Sequence, residues 1–508
     1  MGAAASMASA FFRSIGAQRL FDKMPHGEEE MEAAGGEGID ALPNAILVHI
    51  LGFLPAEEAV RTSVLARRWR HLWKHATSLH VLVDDGEFLG TAAKLQKFVN
   101  HLLPLRKRAS LDMCDLSVGS RKWHNKTVRR RVNDCLRHAA SRRVRFLRLR
   151  ICLMDPCWDI EEHELENLPL VSRHLTRLEL HGVVLRQGFL DLPGCSALEH
   201  LVLDQCALGA RAKMISFKSL KHLSMTRCII STLFRTRILA PNLVSLRFEK
   251  NHGMTPMLDS MPSLVDAYVN ITLTCADTCK LQRADDEEDC DCDSCDCSDS
   301  TGGDSDDCDC DSCDGFDNIG DGNNNCVLLK GLSEAMSLTL ISEPTMVIFR
   351  NDLRWCPTFS KLKTLLLNDY WCVPDDFLAL ACILEHSPVL EKLTLQLFSK
   401  GPAHNVEFEG SVTPTLGCVF SKHLKRVEVK CKVVDERILK VLKFLSMFYL
   451  FQPYMFFCFQ LIPRSTFHQM CKKSSALVAS SGRPWTSSGK LWAFRDLLPL
   501  SVKNCSYG

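Results

Sequence analysis

Two Cys-x-x-Cys pairs are the residues whose type and spacing best suit chemistry. Cys292 pairs with Cys295, and Cys310 pairs with Cys313, inside an Asp/Cys motif that occurs twice, 18 residues apart. Four thiolates at this spacing can hold a tetrahedral zinc ion. However, residues 285–314 contain 15 acidic residues and no Lys or Arg, and neighbouring carboxylates raise thiol pKa values and oppose thiolate formation. We therefore predict a solvated, disordered loop without bound metal, and keep these four cysteines as the candidate ligands.

Known catalytic patterns are missing from the rest of the sequence. It contains no Gly-x-Ser-x-Gly motif, no phosphate-binding Gly-rich loop and no His-Glu-x-x-His motif. The 18 histidines lie mostly beside basic or leucine-rich positions, where surface or capping roles are expected. The sequence therefore predicts a protein without catalytic residues and without a cofactor.

The charge of the chain is divided unevenly. Lys and Arg number 61 against 60 Asp and Glu, but 15 of the acids lie in residues 285–314, so the remainder carries a net charge of +16. Residues 121–150 hold 12 Lys and Arg against one acid, a pattern that can attract nucleic acid. No aromatic platform or zinc-finger spacing accompanies them, so we predict a solvated helix and no nucleic-acid partner.

The remaining composition bears on location. Cysteines outside the acidic loop are scattered singly, as buried thiols of a reducing compartment usually are. Short patterns for myristoylation and for a transit peptide compete near the start, but we expect a flexible leader over residues 1–38. The apolar stretch 444–462 is interrupted by Pro453 and two glutamines, so we expect no membrane span. The prediction is a cytoplasmic or nuclear protein.

Residues 40–73 predict three short helices with apolar stripes. Ile46, Leu47 and Ile50 recur at helical spacing, and Pro55 ends the run. A second helix follows, and a third places Trp69 opposite a row of arginines. So short a segment cannot bury all this apolar surface internally, so part of it should meet a partner.

These residues resemble the F-box of plant proteins. The resemblance runs unbroken from Leu42-Pro43 through residues 50–55 and 58–65 to the Arg- and Trp-rich run 67–73. It implies docking onto a Skp-type adaptor and, through it, onto a cullin. Leu54 and Trp73 are as suited to a small internal core as to adaptor contact. The adaptor-facing surface implied by the resemblance consists of Leu42, Pro43, Ile46, Leu47, Ile50, Leu51, Val60, Val64, Leu65 and Trp69.

The sequence beyond the F-box contains a repeated Leu-x-x-Leu-x-Leu pattern. From Leu175 to Leu264 successive units start 23, 22, 23 and 21 residues apart, within the range of roughly 20 to 29 that leucine-rich repeats use. Each unit predicts one short strand whose alternate apolar residues point inward, so neighbouring units must stack. The ten units begin at Val144, Leu175, Leu198, Leu220, Leu243, Leu264, Ala335, Leu362, Leu390 and Leu424.

An F-box followed by such repeats resembles the plant F-box, FBD and leucine-rich-repeat family. The fold implied is α/β: a three-helix F-box followed by a leucine-rich-repeat solenoid, or horseshoe, with an acidic insert and an irregular tail. Residues 424–445 resemble the start of an FBD region, after which the pattern stops. The predicted segments are a leader (1–38), the F-box (39–79), repeats (80–274), the acidic insert (275–326), further repeats (327–445) and the tail (446–508).

The function that this resemblance implies is that of an adaptor. The F-box would dock the chain onto the ligase, and the repeats would bind a protein substrate whose identity the sequence does not give. Two alternatives stay open: a repeat scaffold that binds partners without ubiquitination, and metal binding by the Cys/Asp segment.

Overall fold

The computed structural model describes part of the chain, arranged as two compact units, Met1–Ile229 and Ile230–Gly508. Both units contain helices and parallel strands, which confirms the predicted α/β class. The described residues are 39, 42–83, 91–106, 111–119, 125–152, 172–185, 194–208, 213–231, 234–272, 275, 277, 326–343, 346–372, 377–398, 423–432, 434–449 and 456–461.

The first unit opens with two α-helices, α1 (Asn44–Leu51) and α2 (Ala56–Arg61). Three 3-10 turns follow where a third α-helix was expected, so that prediction is wrong; the turns are Thr62–Val64, Arg67–Arg70 and Leu72–His75. Two residues outside α-helical geometry interrupt the run: Ala66 is extended, with φ −154° and ψ 159°, and His71 has φ −122°. The hydroxyl of Thr62 also donates to the Ala59 carbonyl at 2.7 Å, a local bond that competes with helix continuation.

The remainder of the first unit is built on parallel strands. β1, β2, β3, β4, β6 and β9 pair in this order, and β5 pairs with β7. Apolar residues at helical spacing over residues 95–103 and 128–139 predict two helices, and the apolar residues over 111–118 predict a strand; α3, α4 and β2 confirm these predictions. The elements are β1 (Ser78–Val83), α3 (Ala92–Leu105), β2 (Met113–Gly119), α4 (Lys126–Ser141), β3 (Phe146–Cys152), β4 (Arg177–His181), β5 (Val184–Leu185), β6 (His200–Asp204), β7 (Ala207–Leu208), β8 (Met214–Ser216) and β9 (His222–Thr226).

The second unit repeats the same arrangement. β11, β13, β14, β15, β16, β17 and β18 pair in parallel in this order, and β10 pairs with β12. Its elements are β10 (Arg237–Leu239), β11 (Ser245–Glu249), β12 (Met257–Leu258), β13 (Asp266–Ile271), α5 (Leu329–Leu332), β14 (Ser337–Ser342), α6 (Ile348–Arg354), β15 (Thr364–Asn368), a 3-10 turn (Asp369–Trp371), α7 (Leu378–Glu385), β16 (Lys392–Leu397), β17 (Arg426–Cys431), α8 (Glu436–Tyr449) and β18 (Phe456–Leu461).

Two of these elements correct the prediction of an irregular tail at residues 446–449 and 456–461, and the rest of the predicted tail lies outside the described residues. α8 continues to Tyr449, and β18 pairs in parallel with β17, with Val427 opposite Phe457 and Val429 opposite Phe459. A strand in register with its neighbour satisfies backbone hydrogen bonds that an isolated apolar run would leave open. The backbone therefore continues the sheet beyond the last leucine-rich unit seen in the sequence.

Equivalent leucines of successive units lie side by side. In the first unit Leu147, Leu178, Leu201 and Leu223 are register partners across β3, β4, β6 and β9. In the second unit Leu338, Leu365 and Leu393 continue the same pattern. Every apolar position predicted for the ten repeat units is buried. The alternating pattern therefore predicts the strands and their inward faces correctly.

A left-handed residue follows four of the strands. Gly182, Gln205, Arg227 and Lys250 have φ between 51° and 68°, and each comes directly after the last residue of its strand. The amide of Gln205 donates to the Thr226 carbonyl at 2.9 Å, which extends the hydrogen-bond ladder by one step. Three of the four are not glycine, so the tertiary structure imposes this conformation against local preference.

The described cysteines lie mostly in the core. Among the eleven cysteines whose side-chain burial is described, ten are buried, as expected of scattered thiols, and Cys356 is half-buried. The thiol of Cys206 donates to the Leu180 carbonyl in β4 at 3.3 Å, and the thiol of Cys228 donates to the Leu203 carbonyl in β6 at 3.4 Å. Burial raises the pKa of the Cys206 thiol to about 12, so it is protonated at neutral pH.

Several predictions fall outside the described residues. These are the leader over residues 1–38, the acidic insert except for its ends near Cys275 and Cys326, and the four candidate ligands Cys292, Cys295, Cys310 and Cys313. They stay predictions, as do the segment boundaries. None of the helices in the described part of the chain is both long and apolar enough to span a membrane.

Candidate functional site

The N-terminal helices are held together by a small apolar core. Leu47 and Leu51 of α1 are 0% and 1% exposed, and Val60 of α2 is 1% exposed. Trp69 and Trp73 of the 3-10 turns are also buried. Residues four apart on α1 share one face, so Leu47 and Leu51 point into this core together. Leu47, Leu51, Val60 and Trp69 therefore stabilise the fold of the segment.

Two arginines fix the edges of this core. Arg68 donates from Nε to Asn44 Oδ1 at 2.8 Å and also bonds the Leu42 carbonyl, which holds the start of α1 beside the second 3-10 turn. Arg106, just beyond α3, donates to the carbonyls of Trp73 (2.7 Å) and Ala76. Burial lowers the pKa of Arg106 to about 10, so it remains charged at neutral pH. Sequence reasoning missed Arg106, because nothing in its neighbourhood marks a contact some 30 residues away.

A set of apolar side chains remains outside the core. Ile46 is 46% exposed, Val64 49% and Leu65 58%, and Pro43 is also exposed. Leu42 and Ile50 are half-buried. These six are the predicted adaptor-facing residues that the described structure leaves accessible, and we call them the exposed apolar set.

The other four residues of the implied adaptor-facing surface are buried in the described structure. Leu47, Leu51 and Val60 are at most 1% exposed, and Trp69 is 5% exposed. A side chain already enclosed by its own chain cannot add surface to an interface unless the fold opens. Neither the resemblance nor the helical spacing indicates this burial, because the inward and outward stripes of α1 are both apolar.

Two exposed residues extend the set beyond the prediction. Phe53 is 71% exposed in the turn after α1, and Ile39 is 53% exposed. The ring of Phe53 stands edge-on to His49, with centroids 4.9 Å apart. The available signal was Gly52, because a glycine after the last residue of an apolar helical pattern marks the end of a helix.

Exposed apolar side chains of this kind are suited to binding a protein. Each large aliphatic or aromatic side chain contributes about 1.5–3 kcal/mol when it leaves water. Arg68 holds Leu42 and Asn44 next to the turn that follows Leu65, so the two exposed segments are neighbours. The arrangement offers an apolar contact surface on a rigid support.

A second feature lies on the half-exposed face of the first unit's strands. Arg148 Nε donates to Glu179 Oε2 at 2.5 Å, and Arg177 Nε donates to Glu179 Oε1 at 2.6 Å. Asp115 on β2 accepts from Arg148 and Arg150. Both guanidinium groups of Arg148 and Arg177 also lie over the Phe146 ring, 4.9 and 5.4 Å from its centroid.

The network lowers the pKa values of its two carboxyl groups. Burial opposes the charge on Glu179, but hydrogen bonds from Arg148 and Arg177 outweigh it and lower the pKa of the carboxyl. The same balance, with His80 as donor, lowers the pKa of Asp115. The face therefore presents fixed, oriented charges at neutral pH. The sequence predicted a solvated helix for residues 121–150, but Arg148 and Arg150 belong to β3 and to this network.

Comparison with known proteins relates the N-terminal segment to the F-box and the longer chain to F-box proteins with leucine-rich repeats. Residues 39–80 match the F-box domain family. An F-box/LRR-repeat protein of Arabidopsis thaliana is 30% identical over 264 residues, covering 46% of this chain and 68% of that protein. An F-box/FBD/LRR-repeat protein of the same plant is 27% identical over 427 residues, covering 81% of this chain and 90% of that protein. Another is 25% identical over 434 residues, covering 78% and 84%.

The matched F-box region contains the buried core and the exposed apolar set, and the longer matches extend through the parallel strands of both units. F-box proteins are adaptors of the kind found in ubiquitin ligase complexes. This chain is a member of the plant F-box/FBD/LRR-repeat family.

Proposed function

We propose that this protein is the substrate-recognition subunit of a Skp, cullin, F-box ubiquitin ligase. The observation that carries the proposal is the exposed apolar set on the F-box, with Ile46, Val64 and Leu65 each about half exposed over a buried core. These side chains would contact the Skp-type adaptor, which in turn would join the chain to a cullin.

The repeats would carry the substrate. We propose that the parallel strands of each unit are successive turns of a leucine-rich-repeat solenoid, with one strand per repeat. The aligned leucines of β14, β15 and β16 support this, because a stacked repeat buries its leucines only against its neighbours. The acidic insert would then be a loop between two repeats.

The Arg–Glu network on β2, β3 and β4 is the candidate substrate face. Ion pairs with Asp115 and Glu179 hold the side chains of Arg150 and Arg177 in place. These two arginines keep 42% and 46% of their side-chain surface exposed. Arginine is enriched among the residues that contribute most binding energy at protein interfaces. The substrate class proposed is accordingly a protein with an acidic, partly apolar surface.

No catalytic residue is needed for this role. A substrate held on the repeats sees its lysines at a high effective concentration of activated ubiquitin, and the partner enzymes perform the transfer. We therefore propose a non-catalytic adaptor in the cytoplasm or nucleus.

Affinity purification of the tagged full-length chain from plant cells tests this proposal, with the proteasome blocked so that substrates persist. We expect a Skp-type adaptor, a cullin and ubiquitinated proteins in the wild-type eluate. Leu65→Asp should remove the adaptor and cullin, whereas Met214→Asp, which alters a 60% exposed residue of β8, should keep both. Partners recovered without any cullin would contradict the ligase role and support a repeat scaffold that acts without ubiquitination.

A further inference from the structure

Three side chains of types that can bind a metal meet in the second unit, outside the acidic insert. Cys356 lies two residues beyond α6, Cys382 lies in α7, and His386 follows α7 directly. Their ligand atoms all lie within 4.8 Å of one another, and Cys382 Sγ is 3.9 Å from His386 Nδ1. Cys382 is buried, while Cys356 and His386 are half-buried.

The backbone holds these side chains in place without help from the thiols. The amide of Phe359 donates to the His386 carbonyl at 2.8 Å, which joins the segment after α6 to the end of α7. The amide of Cys356 donates to the Leu353 carbonyl at 3.3 Å, and Ser387 Oγ donates to the Ile383 carbonyl at 2.7 Å. The three donors therefore converge in a preorganised arrangement.

We propose that Cys356, Cys382 and His386 bind one zinc ion. Two thiolates and an imidazole are ligands that zinc prefers, and around a tetrahedral zinc such donors lie about 3.5–3.8 Å apart. His386 Nδ1 now hydrogen-bonds the Cys382 carbonyl at 2.8 Å, and zinc at that nitrogen would replace this bond. Cys382 and His386 are four residues apart at the end of one helix, a spacing that places two ligands on one face. The exposed sides of Cys356 and His386 leave the fourth position to water.

Zinc binds cysteine as a thiolate and histidine as a neutral imidazole, so its binding would release the protons that these groups carry. The affinity of the site for zinc should therefore fall as the pH is lowered.

The consequence for the fold is a link between two neighbouring repeats. α6 and α7 belong to successive strand–helix units, and a zinc ion would join the end of one helix to the other. The site is independent of the adaptor surface, so the proposal stands whether or not the ligase role does.

Site-specific alkylation tests the proposal in the presence of the chain's other thiols. The full-length chain is reduced, incubated with or without zinc, and pulsed with N-ethylmaleimide, and the modification of Cys356 is measured by peptide mass spectrometry. We expect zinc to slow the alkylation of Cys356. His386→Gln should weaken zinc binding about tenfold or more and remove this protection at limiting zinc. His252→Gln, the same change at a half-buried histidine outside the cluster, should leave it intact.

Cobalt substitution provides a second measurement that does not depend on alkylation chemistry. Cobalt added to the wild-type chain should give a thiolate-to-metal absorption band that decreases in Cys356→Ser, a substitution at a half-buried position that opens no large cavity. Equal alkylation of Cys356 with and without zinc would overturn the proposal. Protection that persists unchanged in folded His386→Gln would also overturn it. So would a Cys356–Cys382 disulfide in the isolated chain with no zinc protection after reduction, because the pair would then serve redox chemistry.

Discussion

At the scale of single residues, buried carboxylates determine much of the local order. Asp352 is fully buried and accepts the amides of Val327, Leu328 and Leu329 at 2.6 to 2.8 Å, so it caps the short helix α5. Asp277, also buried, pairs with Arg235 and accepts the amide of Thr255 at 2.8 Å. Neither could be predicted, because an isolated aspartate in a sequence does not show which distant amides will surround it.

Glu179 offers a pH-dependent test of the network on the strands. Its pKa is lower in the folded chain than in the unfolded chain, so its stabilising contribution is present above the ordinary carboxyl pKa of 4.5 and is lost as pH falls through the folded value. We expect Glu179→Gln to reduce the free energy of unfolding by about 1.5–3 kcal/mol at pH 7. Urea unfolding between pH 3 and pH 7 measures it; a difference that does not shrink in acid would contradict this ionisation.

Because Leu47 is buried, its substitution is a poor test of adaptor contact. At 0% exposure, Leu47→Ala would leave a cavity and cost about 2–5 kcal/mol of folding stability. A loss of adaptor binding in that variant would therefore say little about contact. Exposed members of the set, such as Ile46 and Leu65, allow the interface to be tested in a folded chain.

At the scale of elements, the sequence predicts the repeated strands but not the 3-10 turns or the contacts between helices. The Leu-x-x-Leu-x-Leu spacing gave the strands and their inward faces because each alternate leucine must be buried against the next strand. The same period says nothing about the 3-10 turns after α2, where Ala66 and His71 leave α-helical geometry. Nor does it indicate that Cys356 will meet Cys382 and His386, since the packing of two repeats decides that approach.

The left-handed positions after the strands give a prediction at this scale. Gln205 has φ 52°, a conformation that β-branched residues adopt with most strain. We expect Gln205→Val to lower the free energy of unfolding by about 1–2 kcal/mol. Thermal or urea unfolding measures the change. Ser224→Val, at a half-buried position within β9, is the matched control and should have a much smaller effect; equal effects would show that strain is not the cause.

At the scale of the whole molecule, the sequence predicts an N-terminal F-box followed by a series of strands, and residues 39–80 match the F-box domain family. The F-box and the repeats could be predicted because each has a strong apolar pattern. The last strand could not, because Phe456–Leu461 lacks the leucine spacing and is recognised only by its pairing with β17. Phe457 and Phe459 are register partners of Val427 and Val429, although the two strands share no leucine spacing.

Hydrogen exchange tests this final strand. β18 pairs with β17 along one side, so amides of β18 that donate to β17 should exchange slowly while the alternating amides exchange faster. We expect this alternation in residues 456–461 of the full-length chain, measured by exchange with fragmentation that resolves single amides. Uniformly fast exchange across the segment would restore the prediction of an irregular tail.

The most direct test of the adaptor account is the affinity of the full-length chain for a purified Skp-type adaptor, measured by titration calorimetry. Ile46→Asp with Leu65→Asp should weaken binding by about 2 kcal/mol or more, roughly 30-fold, since each change places a charge in an apolar contact. Met214→Asp serves as the control and should bind like the wild-type chain, and circular dichroism should show all variants folded. An unchanged affinity in the folded double variant would contradict the assignment of the exposed apolar set as the adaptor surface.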